Sequence, residues 1–164
     1  MIMKKRFMLV LVTLMLALGA QAQFEQGTWY FNVSSTGFEL SHSDATKTRL
    51  ALSANVGNFI ADNIALIVGT DADFYSGLSE FGVGTQARYY FPTCGVYGGL
   101  GVQYAYTKIG DYDKSLMFLT PEVGYTFFLN RYLTIEPAVF YRMNFSDFEH
   151  YSKVGLRIGF GFYF

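Results

Sequence analysis

Charge is scarce in this 164-residue chain: 15% of it is Asp, Glu, Lys or Arg, and the formal net charge is −1. Such a balance carries no electrostatic footprint for nucleic acid, and none is expected as a partner. The single cysteine, Cys94, excludes an intramolecular disulfide and any four-cysteine zinc site. No apolar run reaches the roughly 20 residues of a membrane-spanning helix. After Gln23 no segment holds an apolar period of 3.6, so neither a helical bundle nor a coiled coil is expected. What the chain has is apolar and aromatic bulk: 51% hydrophobic residues, 19% aromatics, 17 Gly, 17 Phe and 13 Tyr. Glycine and aromatics outnumber charges almost twofold, which argues against disorder. The length suits one domain.

Residues 1–22 read as a targeting segment. Lys4, Lys5 and Arg6 form a basic start, and Phe7 to Leu18 is apolar apart from Thr13. Ala20-Gln21-Ala22 then puts small residues at the two positions a signal peptidase reads. A secretory signal peptide over 1–22 is expected, with cleavage before Gln23 and 23–164 as the exported domain. The competing reading, a short N-terminal anchor, calls for a longer apolar run. With no cysteine at the cleavage point, a lipoprotein is not expected. Removal takes three bases and no acids, leaving nine bases against thirteen acids, a formal charge of −4. In an exported chain Cys94 is either buried and inert or a free thiol.

Period 2 runs through the rest of the chain. In the last segment Val154, Leu156, Ile158, Phe160, Phe162 and Phe164 share one face, and Lys153, Gly155, Arg157, Gly159, Gly161 and Tyr163 share the other. The first segment sets Trp29, Phe31 and Val33 against Tyr30, Asn32 and Ser34. Six further segments alternate alike, the one around Ile64–Val68 less cleanly because Ile67 falls on the polar face. Eight strands of about 9–14 residues follow, longer than the 5–6 usual in soluble proteins and matched to the 9–11 of a transmembrane β-strand. Gly57–Asn63, Phe91–Gly95 and Phe128–Arg131 read as tight connections; Glu39–Lys47, Asp73–Ser79, Lys108–Lys114 and Ser146–Ser152 read as longer, polar loops. Short turns at one end and long loops at the other are the pattern of an outer-membrane barrel.

The two faces decide between that barrel and a soluble one. One face is nearly free of charge along all eight strands and suits hydrocarbon. The other is Gly, Ala, Ser and Thr with a few ions, which suits a narrow lumen that side chains fill. Trp29, Phe31, Tyr89, Phe91, Tyr125, Phe127, Tyr132, Phe162 and Phe164 gather beside the short turns as a candidate interfacial girdle; ordinary core packing is the alternative. The expected fold is therefore all-β, an eight-stranded antiparallel up-and-down transmembrane barrel. Pro121 and Pro137 fit it badly. With a turn centred near Leu129 they lie roughly opposite each other inside strands, each without a ladder donor, and a bulge is the expected remedy.

Residues 23–164 resemble the small OmpA/OmpX-type outer-membrane β-barrel proteins in their Bacteroidetes-like form. The resemblance rests on the terminal Ile158, Phe160, Phe162, Phe164 alternation, on Gly57-Asn58-Phe59-Ile60-Ala61-Asp62-Asn63-Ile64-Ala65-Leu66, and on Pro121-Glu122-Val123-Gly124-Tyr125 followed by Asn130 and Glu136-Pro137. It implies a Gram-negative outer membrane, periplasmic short turns and extracellular loops, and no shared activity. It further implies Phe160, Phe162 and Phe164 as a terminal assembly signal. The implied partners are outer-membrane lipid, lipopolysaccharide and, during biogenesis, the barrel-assembly machinery; a monomer is expected, and the loop ligand is not specified.

Candidate chemistry is sparse, and no cofactor or metal is expected. His150 and Ser152 could share a strand face, so that the imidazole takes the hydroxyl proton. With Gly155-Leu156 they resemble the His-x-Ser region of the outer-membrane lipid A deacylase family. However, Lys153 stands where that family has Asn, and no acid follows to orient His150. Asp111 and Asp113 could open a calcium loop, but Lys114 follows. His42 and Asp44 form an equally thin pair. Inward parity collects Arg49, Asp71, Arg88, Glu122, Glu136, Arg142 and Arg157. Counted from Leu129, Glu122 and Glu136 fall side by side, and adjacent carboxylates repel unless cations lie between them. A mid-barrel Arg88–Glu122–Glu136–Arg157 network is expected, with Arg157 serving Glu136 and Arg88 reaching across. Three roles are consistent with this: an anchor for surface loops, a lipid A-modifying hydrolase, or a narrow solute channel.

Overall fold

The computed structural model describes residues 24–38, 50–75, 78–92, 94–109, 112–145 and 153–164. Period-2 alternation becomes nine strands: β1 (Trp29–Phe38), β2 (Leu50–Ala61), β3 (Ile64–Tyr75), β4 (Leu78–Tyr90), β5 (Val96–Ile109), β6 (Tyr112–Tyr125), β7 (Phe127–Phe128), β8 (Leu133–Asn144) and β9 (Lys153–Tyr163). From β1 to β6 each strand pairs antiparallel with the next, β6 and β7 both pair with β8, β8 pairs with β9, and β9 closes on β1. β7 continues β6 after a break at Thr126, whose N–H goes instead to the Gly95 carbonyl at 2.8 Å. The result is a closed eight-stranded barrel with one strand interrupted. At the seam, Trp29 and Phe164 exchange backbone hydrogen bonds of 2.7 and 3.0 Å.

The turns differ from the sequence reading in four places. β2 runs on to Ala61, so the expected turn at Gly57–Asn63 shrinks to Asp62 and Asn63; Asn63 takes φ 65°, which asparagine tolerates better than most residues. The expected loops Asp73–Ser79 and Lys108–Lys114 are largely strand. β3 and β4 stay paired to Tyr75↔Leu78, and β5 and β6 to Ile109↔Tyr112. Polar side chains there do not end the ladder, because pairing is a backbone property. The remaining long connections, Glu39–Lys47 and Ser146–Ser152, lie outside the described residues, as do His42, Asp44, Asp111, His150 and Ser152.

The β6–β8 hairpin centres on Arg131 rather than Leu129. The Asn130 side chain accepts from the backbone N–H of Tyr132 and Leu133 at 2.8 and 2.9 Å and folds residues 129–132 into the turn. That two-residue displacement means Pro121 and Pro137 do not face each other. Each falls at a gap in the β6–β8 ladder: Pro121 between Leu119↔Met143 and Glu122↔Phe140, Pro137 between Gly124↔Ala138 and Phe127↔Ile135. The register is unchanged through both gaps, so no bulge is needed. Each proline keeps its pairing on the other side, with Leu100 and Ile158.

The alternation sorts side chains as their parity predicts. Phe31, Val33, Leu52, Val56, Leu66, Val68, Val83, Leu100, Val102, Val123, Val139, Leu156, Ile158 and Phe160 are exposed on the outer wall. Arg88, Glu122, Glu136 and Arg142 are buried inside. An apolar exterior around buried ions is the inverse of a water-soluble barrel and suits a hydrocarbon solvent. Seven of the girdle aromatics, Trp29, Phe31, Tyr89, Phe91, Tyr132, Phe162 and Phe164, are exposed at the short-turn end, while Tyr125 and Phe127 are half-buried.

Candidate functional site in the barrel lumen

The lumen is built in layers. At the short-turn end Tyr30, Phe59, Tyr90, Tyr97 and Tyr163 point inward and are at most 1% exposed. Phe24, just before β1, stacks on Tyr90 with ring centroids 4.3 Å apart and also meets Phe59, Phe128 and Tyr163. Its carbonyl accepts from the Asn63 N–H at 2.7 Å, which fixes it beneath the turn. Ile67, the residue that broke the alternation of its strand, belongs to this floor. The inward parity of Tyr30, Tyr90, Tyr97 and Tyr163 was readable from sequence; their convergence at one height was not, because it depends on register.

Above the floor lies the ion network. Arg88 reaches from β4 across the lumen. Its Nη2 donates to Glu122 Oε1 at 2.9 Å, and its Nη1 to Glu136 Oε2 at 3.2 Å and to the Tyr30 hydroxyl at 2.8 Å. Its Nε donates to Gln86 at 2.9 Å, and its guanidinium lies 4.4 Å from the Tyr97 ring centroid. Glu136 also accepts from Tyr30 at 2.6 Å, Tyr163 at 2.7 Å, Thr134 at 2.9 Å and Asn32 at 3.4 Å. Glu122 also accepts from Gln86 and from Arg157 Nη1, at 3.3 and 2.7 Å. Both carboxylates are 2% exposed, so hydrogen bonding to this extent is what keeps their burial tolerable.

All four expected network residues meet here, but Arg157 pairs with Glu122 rather than Glu136. The displaced hairpin is the cause. Glu122 stands opposite Phe140, four residues along β8 from Glu136, so the two carboxylates are staggered rather than side by side. Arg157 stands opposite Ala138, between those heights, and both oxygens of Glu136 are taken by hydroxyls. Of the other inward charges, Arg142 pairs with Glu80 at 2.6 Å and lies over the Phe118 ring, Asp71 accepts from Gln103, and Arg49 lies outside the described residues. Glu80, Gln86 and Gln103 were missed from sequence, although the same parity marks them.

Glycines make room for the larger inward groups. A Cβ on Gly124 would run into the Tyr97 ring, one on Gly155 into Phe140, and one on Gly161 into Glu136. Among the described residues no group of three His, Cys, Asp or Glu side chains could hold a metal ion. Cys94, in a short turn, is half-buried, its Sγ 3.8 Å from the Phe91 carbonyl.

In fold the chain is similar to three solved structures. It covers 85% of its own length and 98% of the N-terminal β-barrel domain of Pseudomonas aeruginosa OprF, with a TM-score of 0.64 and 12% identity. For neisserial surface protein A the coverage is 85% and 100%, the TM-score 0.61 and the identity 16%. For a de novo designed transmembrane β-barrel the coverage is 87% and 100%, the TM-score 0.55 and the identity 15%. At these identities the likeness is one of fold. No protein-family model and no curated protein sequence matches the chain.

Proposed function

We propose that this chain is a small outer-membrane β-barrel protein of a Gram-negative envelope, OmpA/OmpX-like in kind, that carries surface connections over a closed lumen in a structural or interaction role. In this reading residues 1–22 are the export signal. The short turns face the periplasm, the connections at 39–49 and 146–152 face outward, and Phe160, Phe162 and Phe164 are presented to the assembly machinery. The observation that supports the reading is the pairing of an apolar outer wall with an inner layer of buried ions and aromatic rings. Arg88 spans the lumen to Glu122 and Glu136, and Phe24 with four buried tyrosines packs the end below. A barrel of eight strands has an interior just wide enough for side chains to fill, unlike a porin of 16–18 strands. That filling supports an anchor over a channel.

Planar-bilayer recordings test closure. The purified, refolded barrel should insert without stable, reproducible open-channel steps; steps of constant size would refute it and favour the solute-channel reading. Comparing the intact barrel with a form trimmed in its long connections, for binding to envelope and host components, tests the anchoring role. Equal binding by both would remove it.

A further inference from the structure

The seam between β6 and β8 lacks rungs that the seams on either side of it have. β5–β6 pairs without a break from Val96↔Tyr125 to Ile109↔Tyr112, and β8–β9 from Leu133↔Phe162 to Arg142↔Lys153. β6–β8 is interrupted twice, each time at a proline. The Met117 carbonyl accepts from the Phe145 N–H at 3.3 Å, so the odd-numbered residues of β6 turn their backbone polar groups toward β8. Pro121 therefore stands where a rung with Tyr141 belongs, and Pro137 where a rung with Tyr125 belongs. A proline has no N–H to give, so each removes one donor from the ladder.

Side chains at the gaps are short of partners too. The register sets Thr120 opposite Arg142 beside Pro121, and Thr126 at the gap of Pro137. Thr120 Oγ1, Thr126 Oγ1 and Arg142 Nε are buried without a hydrogen-bond partner among the described residues, although Arg142 Nη2 is held by Glu80. Space lies on both sides of the upper gap. Inside, above the Arg88 layer, a chamber of about 110 Å³ reaches the seam at Thr120, Phe140 and Arg142. Outside, an open apolar groove reaches it at Pro121, Val123, Val139 and Tyr141. Gly98 deepens that groove, since a Cβ there would meet nothing within 4 Å. The rung that Pro121 cannot make is what stands between chamber and groove.

We propose that the β6–β8 seam is a side door: the strands part at Pro121 and Tyr141 and join the lumen chamber to the surrounding hydrocarbon, for passage of a small uncharged solute. The wall sets that class. A charged solute would give up its hydration on leaving the chamber, which hydrocarbon does not repay. Size sets the upper limit, because an apolar cavity of about 150 Å³ holds benzene and this chamber is smaller. Parting the strands here breaks fewer hydrogen bonds than at an unbroken seam, and local opening takes the least protected backbone first. The route turns sideways above the Arg88 layer, so it leaves the aromatic floor in place and carries no ions across the membrane. It goes beyond the anchoring role and rests only on the apolar wall facing lipid.

The test places one thiol in the chamber at a time, in Cys94→Ser chains refolded into lipid vesicles. Thr120→Cys lies at the seam; Ser53→Cys lines the same chamber from β2, four strands away in the closed ring. Each chain meets either a charged, water-soluble thiosulfonate or a decyl thiosulfonate, whose small uncharged head can enter the door while its chain stays in the lipid. Modification is followed by mass. Taken relative to the charged reagent, the decyl reagent should favour the Thr120→Cys thiol over the Ser53→Cys thiol by at least about tenfold. Pro121→Val keeps an apolar side chain on the outer wall and supplies the missing N–H, and should bring that preference below about threefold. If Pro121→Val does not fold, the two-position comparison on the natural seam still decides. No preference for the seam position, or a preference that survives Pro121→Val, would mean that the seam stays shut or that the proline gap does not open it, and would overturn the proposal.

Discussion

Replacing Arg88 with Met removes the cation shared by Glu122 and Glu136 while keeping a long, flexible side chain in its place. The two carboxylates are affected unequally. Glu122 keeps Arg157 at 2.7 Å, so its charge stays compensated. Glu136 keeps only neutral donors: Tyr30, Tyr163, Thr134 and Asn32. Stripping a buried carboxylate of its cation costs about 3–5 kcal/mol, and the remaining hydroxyl donors favour the lower end, about 3 kcal/mol. That is roughly a hundredfold in the folding equilibrium. With a urea dependence of about 2 kcal/mol per molar, the unfolding midpoint should fall by about 1.5 M in refolding titrations into lipid vesicles. The source of the cost is separable. Glu136→Gln on the Arg88→Met background removes the stranded charge, so the double variant should be more stable than Arg88→Met alone, with a coupling of about 1–3 kcal/mol. Arg157→Met should cost less than Arg88→Met, because its side chain is 22% exposed and Glu122 retains Arg88. If Arg88→Met lies within about 0.5 kcal/mol of wild type, or the two substitutions simply add, the network does not hold the lumen closed.

The outer wall and the glycines give further expectations. Arg in place of Leu156 or Val102, both exposed on the apolar face, should destabilise the barrel in vesicles by about 2–4 kcal/mol; a harmless Leu156→Arg would contradict the inside-out assignment. Gly155→Ala drives a methyl into the Phe140 ring and should cost about 1–3 kcal/mol, whereas a methyl added at Gly98 would meet nothing within 4 Å, so Gly98→Ala should stay within about 0.5 kcal/mol of wild type. Equal melting temperatures for the two glycine variants would argue against that packing. Deleting Phe164, 70% exposed at the end of the last strand, should lower the amount in the outer membrane while refolding in detergent changes little. Unchanged membrane levels would remove it as an assembly signal.

Sequence carried the strands and their sidedness, because a period of 2 states which residues share a face whatever the register. It therefore placed Arg88, Glu122, Glu136 and Arg157 inside and Leu156 and Phe160 outside. Register is set by the turns, and there the sequence misleads by two residues. Asn130 marked the hairpin, but its side-chain bonds to Tyr132 and Leu133 move the centre to Arg131. That displacement staggers the glutamates and hands Arg157 to Glu122. It also turns two opposed prolines into two separate ladder gaps. The aromatic floor escaped for a related reason. Phe24 precedes β1 and has no strand parity, and its place under Tyr90 depends on the Asn63 turn. The polar hairpin ends at β3–β4 and β5–β6 read as loops because composition reports the solvent around a strand, not whether its backbone is paired.

The central claim is that the apolar wall faces hydrocarbon, and Trp29 tests it most directly. It is the one tryptophan in the chain, on the outer wall beside the short turns, 52% exposed and next to the Phe164 seam. An indole in that position belongs at the membrane–water interface. With the barrel reconstituted in vesicles, Trp29 fluorescence should be quenched strongly by lipids brominated near the headgroup end of the acyl chain. Lipids brominated at the chain terminus should quench it weakly, and aqueous iodide should have little effect. Strong iodide quenching with no response to brominated lipid at any depth would mean that the apolar wall is turned to water, and would contradict the claim.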